Sequence, residues 1–349
     1  MRAGAKPGTD ARLPSNFDAI VQPPMSVLAR LQYFRRIASA YLLRSHSQLT
    51  FWHDSAELNP RAKSNALGEY YMNFDEKAQY SVMDPSGIPM LNYRGAIGMQ
   101  YNPIAIAQWG LGNFNLFRRE NDLAARERFV LAAKWLCERL ETNARGLCVW
   151  NHNFDWEYRD TLYAPWYSGL AQGQGISLLV RAHAETNEAK YLDAATRAFQ
   201  SFLLATKDGG VAFIDSEGNL WFEEYLVSPP THILNGFIWA AWGVYDYFLV
   251  TGSTEAEALF HRAIQTLKTN LDHYDLGFWS LYEQSGTRLP MIASPFYHRL
   301  HITQLNVMHR LTSEPIFDQC ACRWQRYALS RSKRTRALCY KGAFKLCYY

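Results

Sequence analysis

Disulfide and metal chemistry have little foothold in this sequence. Its six cysteines, Cys137, Cys148, Cys320, Cys322, Cys339 and Cys347, form no CxxC pair, no Cys/His ligand spacing and no framework across the chain, so reduced thiols are the default. Asp84, Asp155 and Asp160 stand outside any EF-hand-like oxygen spacing, and neither a metal nor a cofactor is expected. Charge is sparse, at 19% of residues against 48% apolar and 15% aromatic, which excludes the composition of disordered chains. The N-terminal MRAGAKPGTDARLPSNFDAIVQPP has no apolar core segment, which argues against a secretory signal and for a cytoplasmic protein. Residues Tyr225 to Tyr245 lack charge over about the length of a bilayer span, but Pro229, Pro230, His232 and Asn235 interrupt them and Asp246 follows. They read as a buried helix.

The net charge of +4 is uneven, because residues 319 to 349 hold eight Lys/Arg and no acid, leaving −4 on the rest. No basic face runs through the body to meet a phosphate backbone, so nucleic acid is not an expected partner. The 349 residues suit one large or two modest domains.

From about residue 100 the apolar periodicity predicts helices in pairs, at 103–119 and 124–141, 165–186 and 189–206, 229–250 and 254–270, and 298–312 and 315–330. Pro103, Pro165, Pro230 and Pro315 lie near the starts, where a missing N–H costs nothing. The second helix of an early pair is amphipathic and the first is nearly uncharged, which assigns outer and inner positions. The fold class that follows is mainly α with a β-rich N-terminal part. It is an incomplete (α/α) toroid of antiparallel helix hairpins, with β-hairpins in the inter-pair connections. Residues 1–100 form the N-terminal region, with a helix over 24–43 and strands at 69–74, 78–83 and 88–93. Residues 101–330 form the toroid and 331–349 a basic tail. The connections 142–164, 207–228 and 271–297 have strand character. Because all inner helices run the same way, these connections reach one rim.

Each connection ends in a polar and aromatic cluster. The first holds Asp155, Trp156, Tyr163, Trp166 and Tyr167 and continues into Gln172 and Gln174; the second holds Glu223, Glu224 and Tyr225 and continues into His232 and Asn235; the third holds Tyr282, Arg288, Tyr297, His298, Arg299 and His301. Aromatic faces beside amides and carboxylates suit stacked pyranose rings, and cations suit a carboxylated sugar. Hydrolysis needs two opposed carboxylates. Lyase or epimerase chemistry instead removes the acidic proton at carbon 5 of a uronate, with a base and a stabiliser of the enolate-like intermediate. Three tyrosines on one rim tilt the reading toward proton transfer, provided neighbouring cations such as His298 and Arg299 lower the Tyr297 hydroxyl.

The runs YNPIAIAQWG at 101–110, WYSGLAQGQGISLLVRA at 166–182, WFEEY at 221–225 with HILNGF at 232–237, and YHRLHITQL at 297–305 resemble the C-terminal domain of D-glucuronyl 5-epimerases, over roughly residues 68–312. The resemblance implies conversion of D-glucuronate to L-iduronate within a heparosan-like polymer, on an (α/α) domain behind a β-rich part. It implies a catalytic set of Glu224, Tyr225, Tyr282 and Tyr297, matched residue by residue to the family's EEY run, to the tyrosine before the last motif and to the YHxxHIxQL motif. This chain departs from the family by Phe296 in place of an acidic residue and by Arg299 within the motif. A different uronate-bearing polysaccharide therefore stays open, as do a uronate lyase and a non-catalytic polysaccharide-binding protein.

Glu223 and Glu224 are adjacent, so in extended backbone only one faces a cleft. Tyr163, Trp166, Tyr167, Gln172, Gln174, Asn235, Arg288, His298, Arg299 and His301 are the candidate substrate contacts. The buried amides among them either satisfy backbone groups or line the cavity, since an unpaired one costs roughly 1 to 3 kcal/mol. The basic tail would bind an anionic polymer or the inner face of the membrane, or close the array as a terminal helix. A homodimer is also left open.

Overall fold

The computed structural model describes Tyr41 and residues 55–348; the helix expected over 24–43 lies outside these residues apart from Tyr41. Four helix hairpins follow one another: α1 (Pro103–Glu120) with α2 (Leu123–Glu138), α3 (Gly169–Thr186) with α4 (Ala189–Phe199), α5 (Leu234–Thr251) with α6 (Thr254–Asn270), and α7 (Pro295–Thr312) with α8 (Pro315–Leu329). All four hairpins turn through two residues. The first of these adopts the left-handed conformation, at Asn121, Asn187, Gly252 and Ser313 with φ of 56°, 58°, 66° and 59°, which stops a helix cleanly. The second residue precedes the next helix, and at Asp122 and Ser253 its side chain accepts backbone N–H bonds as an N-cap. Residues 331–348, read above as a tail, form a ninth described helix, α9 (Arg331–Tyr348), which packs on α8 with Ala337 and Phe344 buried.

Helices α3 and α5 begin later than the periodicity suggested, at Gly169 and Leu234. Ser168 and not Pro165 caps α3, accepting from the Ala171 N–H at 3.0 Å, and the segment ahead of α5 stays irregular, with His232 left-handed at φ 50° and Ile233 extended as the N-cap. Inner helices α1, α3, α5 and α7 pack in succession with the outer helices behind them, giving an (α/α) arc. Its rim carries β3 (Glu141–Thr142) with β4 (Cys148–Val149), β5 (Trp156–Glu157) with β6 (Thr161–Leu162), and β7 (Ala212–Ile214) with β8 (Leu220–Phe222). The last connection is held by the bridges Asp275↔Ser280 and Leu281↔Ile292. Among the described residues of the N-terminal segment, regular structure is confined to a 3-10 turn at Glu76–Ala78, the pair β1 (Leu91–Asn92) with β2 (Met99–Gln100), and the bridges Leu58↔Met72 and Met83↔Pro89. Consecutive Tyr70, Tyr71 and Met72 are all buried, and the Asn115 side chain of α1 satisfies their backbone at Tyr70 N (2.7 Å) and Met72 O (2.9 Å).

The tightest helix contact is between α3 and α5. A Cβ on Gly173 would stand 2.5 Å from Ala240 Cα, and one on Gly243 2.2 Å from the Gly173 carbonyl oxygen, so only glycine permits this crossing. One turn away, Arg181 donates to Asp246 at 2.6 and 3.1 Å, both side chains being buried, and the Tyr71 hydroxyl donates to Asp246 at 2.7 Å. Removing one member strands a buried charge. Asp246→Ala is expected to cost about 3–5 kcal/mol and Gly243→Ala about 1–3 kcal/mol through overpacking, as read from the denaturant midpoint at unchanged slope.

Candidate active site

At the rim, a cavity of about 560 Å³ opens among the described residues, walled by the ends of the inner helices, the connections and α9. Glu224 sits at its base. The strand β8 leads into Glu223 and Glu224 in extended backbone, and the pair divides as alternation demands. Glu223 turns inward, its carboxylate 2.5 Å from His232 Nδ1 and accepting the His232 N–H at 3.1 Å, while that imidazole stacks on Trp221. Glu224, 6% exposed, faces the cavity and accepts from Asn235 Nδ2 at 3.5 Å. Helix α5 makes room for it with Gly236, where a Cβ would fall 2.2 Å from Glu224 Oε2. Burial first, then the negative fields of Glu283 and Glu223, push the Glu224 carboxyl up to about 8.

Five tyrosines among the described residues line this space, Tyr93, Tyr158, Tyr225, Tyr282 and Tyr297. Tyr225 packs on Tyr158, with ring centroids 4.4 Å apart, and edge-on to Trp166 at 5.7 Å. Tyr297 packs on Tyr282 at 4.9 Å and on Phe296 at 5.1 Å. Burial raises the hydroxyls of Tyr225, Tyr282 and Tyr297 above their ordinary range, with the Glu224 charge adding to the rise. For Tyr297 a hydrogen bond with Tyr282 offsets part of it. The cationic lowering anticipated for Tyr297 is absent, because His298 faces the other way. Its ring stacks on Trp279 at 3.9 Å and bonds Ser280 Oγ at 2.7 Å and the Trp324 carbonyl at 3.1 Å.

Of the expected substrate contacts, Trp166 and Asn235 line the cavity. The others do not. Tyr163 is 73% exposed away from it, and the Tyr167 hydroxyl is committed to the Gly209 carbonyl at 2.8 Å. Gln172 satisfies Trp150 N, Cys148 O and Ala198 O, and Gln174 is buried beside Tyr70. His301 joins His298 on Ser280 Oγ at 3.1 Å. Arg288 is exposed and Arg299 half-buried, both outside the cavity wall. Gln172, His298 and His301 are thus bonded to backbone and core partners, whereas neither polar atom of the buried Gln174 amide has a hydrogen-bond partner among the described residues, and Arg288 and Arg299 stay off the cavity wall.

The structure adds residues that the sequence reading did not single out. His152 lies flat on Trp166, with centroids 3.9 Å apart and planes at 12°, and burial pushes its imidazole down to about 3. It is neutral, and neither ring nitrogen has a partner among the described residues. Tyr158 donates its hydroxyl to Glu283. From α9 come Lys341 and Lys345. Among the described residues no three His, Cys, Asp or Glu converge as metal ligands, and no helix is long and apolar enough to cross a membrane.

The cavity at the rim of this helix-hairpin arc thus sets the buried Glu224 carboxyl beside tyrosine hydroxyls that burial keeps protonated. The sequence profile of the D-glucuronyl C5-epimerase C-terminus family matches residues 144–326, more than half of the chain, and the chain belongs to that family. The D-glucuronyl C5-epimerase of Caenorhabditis elegans is 31% identical over 218 residues, covering 58% of this chain and 35% of that protein. An uncharacterized protein of Methanocaldococcus jannaschii is 29% identical over 180 residues, covering 51% of this chain and 57% of that one. The chain thus spans between about a third and three-fifths of these relatives. Among solved structures, cellobiose 2-epimerase from Spirochaeta thermophila is similar with a TM-score of 0.49 at 12% identity, covering 87% of this chain and 86% of that one. An unsaturated glucuronyl hydrolase from a Bacillus species is similar with 0.45 at 13%, covering 64% and 61%.

The raised Glu224 carboxyl has a stability signature. Between its ordinary value of 4.5 and about 8 the folded chain holds a proton that the unfolded chain has lost, so this group's contribution to stability falls as pH rises through that window. Glu224→Gln removes the fall. Its denaturant midpoint relative to wild type is expected to rise steadily from pH 5 to pH 8, whereas Glu223→Gln, which loosens His232, is expected to be destabilised across the range.

Proposed function

We propose that this chain inverts carbon 5 of a glucuronate residue within a uronate-containing, heparosan-like polysaccharide. The observation that carries the reading is Glu224, a single buried carboxyl poised near neutral pH beside three hydroxyls that all stay protonated. A base is most useful when its pKa lies near the working pH. Glu224, as carboxylate, takes the proton from carbon 5; the C–H electron pair moves into the adjacent carboxylate as an enediolate-like dianion. A tyrosine O–H then returns a proton to carbon 5 from the other face, and the tyrosinate left behind regains one from Glu224 or water. Tyr297 is the donor we assign, since its bond with Tyr282 eases the loss of its proton. Trp166, backed on one face by the buried His152, offers an aromatic surface that suits a neighbouring sugar ring. Membership in the epimerase family supports the same reaction.

Inversion of carbon 5 is separable from its rivals. A uronate lyase shares the first step but expels the carbon 4 oxygen, giving an unsaturated product that absorbs in the ultraviolet. A non-catalytic binding protein would hold the polymer with no exchange. In heavy water, wild type acting on glucuronate polymer is expected to place deuterium at carbon 5 and to form iduronate without ultraviolet absorbance; an unsaturated product, or binding without exchange, would overturn the reading.

Two substitutions probe the assignment of Glu224. Glu224→Gln is expected to lower exchange by about 100- to 10,000-fold, the usual weight of a general acid–base group, with polymer affinity little changed. Gly236→Ala, which drives a methyl into Glu224, is expected to lower turnover at least tenfold while the helix content by circular dichroism stays at the wild-type value. The exchange rate of the wild type should rise with pH up to about 8 and then level, as Glu224 loses its proton.

A further inference from the structure

We propose that Lys341 and Lys345 of α9 form a carboxylate-binding subsite that pairs with a uronate carboxylate of the polymer. The polymer's class rests on the epimerase reading above, while the subsite itself rests on geometry. Both lysines line the cavity, and four residues apart on one helix they share a face. Lys341 is only 8% exposed, and its ammonium is fixed by the Ile292 carbonyl at 3.0 Å. The neighbouring Met291 carbonyl accepts the Tyr282 N–H at 2.8 Å. The ammonium is therefore held one residue from the backbone that positions Tyr282.

Two like charges on one face repel, and burying a cation carries a desolvation cost. Here the helix is tied down regardless, by Ala337 and Phe344. Burial first, then Lys345, pushes Lys341 down to about 7, against a partial counter-pull from Glu283. An incoming carboxylate relieves both the repulsion and the desolvation, which makes the cluster complementary to an anion. The lysines also fill a role that the sequence assigned to Arg288 and Arg299, neither of which lines the cavity. They lie on the C-terminal helix, beyond residues 144–326 that match the family.

The test compares binding of a heparosan octasaccharide with that of its carboxyl-reduced, uncharged counterpart, using the full chain by calorimetry. Wild type is expected to prefer the carboxylated ligand. The Lys341→Met/Lys345→Met variant is expected to lose about 10- to 100-fold in affinity for it, the range of a charge-assisted hydrogen bond, while its affinity for the reduced ligand stays within about twofold of wild type. Retained preference overturns the proposal, as does equal loss for both ligands, which marks α9 as a wall only. Should the double variant fail to fold, Lys345→Met alone serves, with at least a threefold loss of preference expected and an unchanged preference overturning the subsite. Deuterium exchange on the same wild-type preparation keeps the two ideas apart. Lysine-dependent preference without exchange supports the subsite and removes the epimerase reading; exchange with lysine-independent binding does the reverse.

Discussion

The crossing of α3 and α5 governs the rest of the structure. Gly173 and Gly243 let the two backbones touch, and the buried Arg181–Asp246 pair with Tyr71 pins the crossing and the N-terminal segment in one register. Because the two helices approach so closely, their N-terminal ends meet at the rim. Gly169 at the start of α3 donates its N–H to the Glu223 carbonyl at 2.8 Å, and Gly236 near the start of α5 receives the Glu224 side chain. The strand β8 is thereby clamped between the two helix ends. A shift of about an ångström in the crossing would move the carboxylate.

That clamping sets the electrostatics. Glu224 is buried near Glu283 and Glu223, and the same dry surroundings hold the tyrosine hydroxyls protonated and His152 neutral. Desolvation is the largest influence on each of them, so the cavity tunes its groups mainly by excluding water. One environment separates a carboxyl able to accept a proton from hydroxyls able to donate one.

Much of this was legible in the sequence, for stated reasons. The hairpins were visible because each inner helix is apolar on most faces, and the rim followed from their common direction. Glu224, Tyr225, Tyr282, Tyr297, Trp166 and Asn235 gather at the cavity because they flank the starts of inner helices. The failures came from side-chain direction. His298 and His301 share a motif with Tyr297, yet on α7 both bond Ser280 Oγ and pack near Trp324, and spacing within the motif does not tell which of its rings meets the cavity and which the core. Gln172 looked like a ligand in an apolar helix but satisfies the backbone of the first connection at Cys148 and Trp150. Lys341 and Lys345 were hidden in a basic tail, since no local pattern reveals that a terminal helix folds back over a distant rim. Tyr158 was in plain view in the first connection, and only its tertiary contact with Glu283 sets it apart.

The two ends of the hairpin arc differ in what they tolerate. The end with two-residue turns has no slack, each link being one left-handed residue followed by one that opens the next helix. The opposite end carries the long connections 139–168, 200–233 and 271–294, whose regular pairing is brief. Loop length is thermodynamically cheap, so lineage-specific insertions and exchanges can accumulate on the second end without disturbing the first. Such a scaffold has one end that fixes the helix pairs and one mouth that can be rewritten, so the chemistry lining the cavity can change while the hairpins stay as they are.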